Sequence, residues 1–235
     1  MQDLGAAFEQ AARLVFGFDA ALAEIVLLSL QVSLTAVLLA ALIGMPLGAA
    51  LAICRFPGRA ALSVFISAMM GLPPVVVGLM VYLMLSASGP LGVLGLLYTP
   101  TAMIIAQTLL IVPIIAALTR QVIADLHEGY DEYLRSIGAG RAATLATLLW
   151  DARFSLSTAA LAGLGRAFAE VGAVMIVGGN INHVTRVMTT AIALETSRGE
   201  LALALGLGIV LIGMSVMVTA ALALVQSMAQ RLVYA

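Results

Sequence analysis

Five apolar runs, each longer than twenty residues, take up most of this chain. They cover residues 22–54, 60–86, 101–123, 154–177 and 201–228. A helix of roughly 20 apolar residues crosses a hydrocarbon core about 30 Å thick. Lipid offers backbone N–H and C=O groups no partners, so each run must satisfy its own hydrogen bonds as a helix. A β-barrel is excluded, because barrel strands alternate in hydrophobicity over about ten residues and these runs are continuous. The expected fold is therefore all-α: a polytopic membrane protein with five transmembrane helices in one domain, residues 21–235. Charged residues make up only 10% of the chain, against about 25% in soluble domains.

Residues 1–20 form no span. Leu4, Phe8, Val15 and Phe18 recur at helical spacing opposite Asp3, Glu9, Gln10 and Arg13. This reads either as an amphipathic helix lying on the membrane or as a frayed tail. Asp19 is placed to cap the first span. The first ten residues lack the basic start of a cleaved signal peptide.

Arginine sets the expected orientation, since all eleven basic residues are Arg. Arg55, Arg59, Arg120, Arg135, Arg141, Arg153 and Arg231 fall on one side of the five-span arrangement. Arg13, Arg186 and Arg198 fall on the other, and Arg166 lies within the fourth run. The richer side is read as cytoplasmic, which puts the N-terminus outside and the C-terminus inside.

The longest polar insertion, residues 131–153, lies on that richer side, within a loop of about 124–153. It reads as two short helices hinged at Gly138-Ala139-Gly140. A polar helical hairpin projecting from a membrane bundle suits docking to a partner in the aqueous phase. In the fourth run, Arg166 and Glu170 are spaced one helical turn apart. Charges at that depth face a partner or a watery cavity. They read either as a pathway pair or as a self-neutralising i,i+4 pair. The small residues between Ala159 and Ala173 suit close helix packing or a lining that slides during gating.

Several functions are excluded. A P-loop needs a lysine to reach the phosphates, and the chain has none. Neither Gly-x-Ser-x-Gly nor His-Glu-x-x-His occurs. The single Cys54 permits no disulfide within the chain. His127 and His183 fall on opposite sides of the membrane, so no metal site is expected. The chain is read as a transport subunit and not an enzyme, with no cofactor of its own and no nucleic-acid partner.

The loop resembles the cytoplasmic loop of ABC importer permeases, which reads Glu-Ala-Ala, three residues, Gly, nine residues, then Ile-x-Leu-Pro. Glu132, Tyr133, Leu134 and Gly138 match the first half in spacing, and Leu148 to Asp151 fall on the second. Tyr133-Leu134 replaces Ala-Ala, and Trp150-Asp151 replaces Leu-Pro. Without that proline the second short helix can continue into the fourth span. Gly44-Met45-Pro46-Leu47-Gly48, Leu72-Pro73-Pro74 through Gly78, Gly89-Pro90-Leu91-Gly92, Ala106-Gln107 and Pro113 extend the likeness to the oxyanion branch. Gly178-Gly179-Asn180-Ile181, the run Thr185 to Ile192, and Glu195-Thr196 are most like tungstate-uptake permeases.

That resemblance implies a subunit of the bacterial or archaeal cytoplasmic membrane working as a homodimer in the lipid bilayer. It implies ABC ATPase subunits that supply the ATP site, and a periplasmic or surface-tethered oxyanion-binding protein. Coupling to the ATPase would rest on Glu132, Tyr133, Arg135, Ser136, Gly138, Ala139, Gly140 and Arg141. The pathway and gate would involve Arg166, Glu170, Asn180, Thr185, Arg186, Thr189 and Thr190. The alternatives are a molybdate or sulfate permease, or an ion-coupled secondary transporter. The last would need intramembrane carboxylates or broken helices around the coupling ion.

Overall fold

The computed structural model describes residues 20–233, together with Glu9, Arg13 and Gly17. Most of the N-terminal segment, read as an amphipathic helix or a frayed tail, and Asp19 lie outside the described residues. Among the described residues there are helices and turns but no strand. The helices are α1 (Ala20–Ile53), α2 (Arg59–Met69), α3 (Pro74–Leu85), α4 (Pro100–Ser136), α5 (Arg141–Asp151), α6 (Arg153–Phe168), α7 (Gly172–Gly178), α8 (Met188–Arg198) and α9 (Leu201–Val233). A single 3-10 turn, Gly92–Leu94, lies between α3 and α4.

Among the described residues, three helices are long and apolar enough to cross a membrane unbroken, in α1, α4 and α9. The second and fourth runs are not straight spans. The second bends by 102° between α2 and α3, and the fourth by 61° between α6 and α7. Five crossings result if each bent pair is one span. The first bend follows from Pro73-Pro74. Proline lacks the N–H a helix needs and pushes its predecessor toward extended backbone, and Pro73 itself is extended at ψ 125°. The second bend has no proline; a side chain, described below, takes over the role of the lost backbone bonds. Pro46 and Pro113, by contrast, sit inside unbroken helices.

The loop also differs from expectation. Its first half is not a separate short helix, because α4 runs on without a break to Ser136. Residues 124–136 contain no proline, and Leu134 on this extension is buried. Its side chain packs with Ile123, Leu148, Ala152 and Leu156, so the extension is held from the side.

The chain divides into two compact units. The first comprises the chain up to Thr35, Pro73–Gln107 and Ala167–Ala221; the second comprises Ala36–Leu72, Thr108–Arg166 and the chain from Leu222. In the first unit α3 crosses α7 closely: a Cβ at Gly78 would stand 2.6 Å from the Cα of Ala173. Leu22 and Ile25 of α1, Met188 and Ala191 of α8, and Leu207 of α9 form its apolar cluster. In the second unit a Cβ at Gly48 would meet the backbone of Ala116 and stand 2.8 Å from Thr119 Cβ. The glycines of two sequence motifs are thus helix contact points, which is how helices associate where lipid removes the hydrophobic drive. Outward faces stay apolar, with Leu42 of α1 64% exposed and Ile212 of α9 68% exposed. Such faces suit lipid rather than water.

Candidate functional site

The turn after α4 is built by one residue. Gly138 has φ +65°, the left-handed region open to glycine at little cost. Ala139 N–H donates to Leu134 O at 3.0 Å, closing the Schellman end of the helix. Ala139 and Leu134 then pack in the same cluster, the apolar contact that accompanies this motif. A Cβ at Gly138 would meet nothing within 4 Å, so the requirement for glycine there is conformational. Gly140 is different: its φ of −70° and ψ of 161° suit any residue. The expected hinge at 138–140 therefore reduces to Gly138.

Around this turn Glu132, Ser136, Gly140 and Arg141 are exposed, and Ala139 is half-buried. The side chain of Arg135 lies outside the described residues. Tyr133, Ile137 and Trp150 are 62%, 60% and 69% exposed. Arg153 holds the end of α5, its guanidinium 4.8 Å from the Trp150 ring centroid and 4.5 Å from that of Phe154. It also donates to Trp150 O at 2.7 Å. Helix α5 passes into α6 through Ala152 alone, whose N–H still reaches Leu148 O while its carbonyl accepts from Leu156. The missing proline has the consequence read from the sequence. Beneath the turn, His127, Asp131, Arg55 and Arg141 line a polar crevice of about 260 Å³. Ile137, Trp150 and Asp131 were not among the coupling residues read from the sequence. An isoleucine between Ser136 and Gly138, inside a polar stretch, was the signal the sequence offered.

The second candidate region begins at the α6–α7 break. The helix ends at Phe168, so Arg166 and Glu170 do not sit one turn apart on a single helix. Glu170 is buried, at 2% exposure. Its Oε1 accepts the Ala173 N–H at 2.8 Å, and its carbonyl accepts the Thr189 hydroxyl at 2.8 Å. Oε1 thus serves one free N–H at the start of α7, that of Ala173, as a cap would.

The segment from Gly178 to α8 folds on itself. Gly179 and Asn180 end α7 in left-handed conformation, at φ +70° and +51°. The Thr185 hydroxyl donates to Gly178 O at 2.5 Å and accepts the Ile181 N–H at 3.0 Å. Asn180 Nδ2 donates to Thr190 O at 3.4 Å. The Thr190 hydroxyl accepts the Val187 N–H at 3.1 Å at the start of α8. Met188 N–H donates to the Ser29 hydroxyl at 2.7 Å, tying α8 to α1. Near-complete burial of Glu195 places it 3.4 Å from Arg198 and 3.9 Å from Arg186. His183 and Glu24 meet at 2.7 Å, both substantially exposed. Tyr98, in the turn before α4, has its phenol raised above the ordinary 10.0, first by its hydrogen bond with Tyr82. Every threonine read as a gate residue is thus committed to backbone groups in this structure.

Comparison with known proteins agrees with this architecture. The tungstate uptake system permease protein of Peptoclostridium acidaminophilum is 39% identical, over 94% of this chain and 96% of its own length. A probable anion ABC transporter permease protein of Haloferax volcanii is 38% identical, over 82% of this chain and 85% of its own. The tungstate uptake system permease protein of Campylobacter jejuni is 37% identical, over 87% and 86%. The model for binding-protein-dependent transport system inner membrane components matches residues 44–232. With several apolar helices, two helix breaks and a projecting turn inside that match, the chain belongs to the family of binding-protein-dependent transport system inner membrane components.

Proposed function

We propose that this chain is the membrane subunit of a tungstate importer whose ATP is hydrolysed on separate ATPase subunits. The observation that carries the reading is likeness to tungstate uptake permeases along almost the whole chain, loop included. The exposed Tyr133, Ile137 and Trp150 around the Gly138 turn support the docking role. Aromatic and aliphatic side chains framed by Glu132 and Arg141 have the composition of a protein interface. Glu132 to Arg141 would transmit closure of the ATPases. With one such turn per chain, two chains related by a two-fold axis would match two ATPase subunits. The absence of lysine supports a nucleotide site on another polypeptide. The arginine distribution favours a cytoplasmic turn. Residues 178–199 would then lie outside, towards a substrate-binding protein.

For the gate, Thr185, Thr190 and Asn180 act by stiffening the segment that Arg186, Thr189 and Glu170 anchor, while Arg166 acts at the end of α6. Residues 21–235 would act as one permease domain.

The test is reconstitution with ATPase subunits and binding protein in proteoliposomes. Uptake of radioactive tungstate should require ATP, and excess molybdate or sulfate should compete poorly. Uptake that follows a proton or sodium gradient without ATP would overturn the reading, and preferential uptake of sulfate would overturn the choice of substrate.

A further inference from the structure

The second unit carries an open groove of about 700 Å³ separate from the Gly138 turn. Arg59, Ser63 and Ser67 lie along it at four-residue intervals of α2, which is one helix face. Arg120 of α4 lines the same groove, and Ala60 and Ala68 leave room between the polar groups. No carboxylate is among the lining residues. Arg59 is held in place, since its Nη2 donates to Ala52 O near the end of α1 at 2.9 Å. The Ser67 hydroxyl folds back onto Ser63 O at 2.9 Å, and can turn outward to donate to a ligand. A guanidinium stays charged at any physiological pH. Two of them on one groove, with no carboxylate lining it, create a positive field that draws anions in. Guanidinium forks and hydroxyls match the several acceptor oxygens of a tetrahedral oxyanion.

We propose that Arg59 and Arg120, with the Ser63 and Ser67 hydroxyls, form a binding site for a tetrahedral oxyanion. That the anion is cargo in transit rests on the importer reading above. A bound phospholipid headgroup would present the same chemistry, so the experiment separates the two.

The complete transporter is placed in lipid nanodiscs, with Cys54→Ser and Val64→Cys leaving one thiol on the groove. A negatively charged thiol reagent should react about tenfold faster than in the Arg59→Gln, Arg120→Gln variant, reflecting local enrichment of anions. A neutral reagent should react equally with both, which guards against misfolding. Arg59→Lys with Arg120→Lys should keep most of the enhancement. In phosphatidylcholine discs, millimolar tungstate should slow the charged reagent. Equal rates in the two proteins, or no slowing by tungstate, would overturn the site. Slowing by phosphatidylglycerol in place of tungstate would assign the groove to headgroups and overturn the anion as cargo. Tungstate uptake is read in proteoliposomes of the same protein. Uptake without protection overturns the site and leaves the importer standing; protection without uptake supports the site and overturns the importer.

Discussion

The turn at Gly138 and the segment after Gly178 both begin where a helix stops at a left-handed glycine, yet they are finished in opposite ways. Around Gly138 the backbone is closed within the end of α4, where the Ser136 hydroxyl also donates to Tyr133 O, and Tyr133, Ile137 and Trp150 face outward. After Gly179, the hydroxyls of Thr185, Thr189 and Thr190 and the amide of Asn180 all bind backbone groups of the same unit. That segment's polar groups are held within its own unit, the Met188 N–H by Ser29 of α1 among them. An exposed apolar turn is completed by something else, and in a family of transporters assembled from several subunits that is the expected mark of a docking element.

The contrast can be broken most severely at Gly138. Valine there would have to adopt φ +65°, at a cost of roughly 1–2 kcal/mol or more for a β-branched residue. Gly138→Val should lower ATP-driven tungstate uptake by about tenfold or more while the protein still reaches the membrane. Gly140→Ala, at an ordinary backbone angle, should leave uptake near wild type. Equal loss in both variants would mean that general damage, not the turn's geometry, is at work.

A smaller effect is expected at Thr185. Thr185→Val keeps the shape but leaves Gly178 O and Ile181 N–H without the hydroxyl. Buried groups left unsatisfied cost about 1–3 kcal/mol. Thermal unfolding in detergent should show lowered stability, with ATPase subunits still retained. Unchanged melting would show that the segment is not held by its own bonds.

The smallest effect is expected at Trp150. Trp150→Ala removes an exposed ring stacked on Arg153 and should leave melting almost unchanged. Its loss should weaken ATPase retention by about 1 kcal/mol, roughly fivefold. Measured in a pull-down titration, retention equal to wild type would remove Trp150 from the dock.

Much of this was legible in the sequence, because glycine, proline and apolar run length act locally. The left-handed turn, the helix end at 178–180 and the helix after Val187 each follow from a few adjacent residues. What was not legible depends on distant partners. The continuation of α4 to Ser136 is supported by Leu148 and Leu156, which belong to later helices. The break after Phe168 has no proline to announce it; across it the buried Glu170 carboxylate accepts the Ala173 N–H of the next helix. Pro73-Pro74 did announce the other bend, but a continuous apolar run reads as a straight span unless its prolines are weighed against its length. The threonines of the Gly178 segment read as polar groups available to a substrate. Only their bond partners reveal that they hold the backbone.

The most direct test places a photo-crosslinking residue at Ile137 and, separately, at Ile181, which is 43% exposed. Each is irradiated in the assembled transporter with its ATPase subunits and binding protein present. Position 137 should capture the ATPase subunit, and position 181 should never do so. Capture of the ATPase at 181, with none at 137, would contradict the docking role of the Gly138 turn.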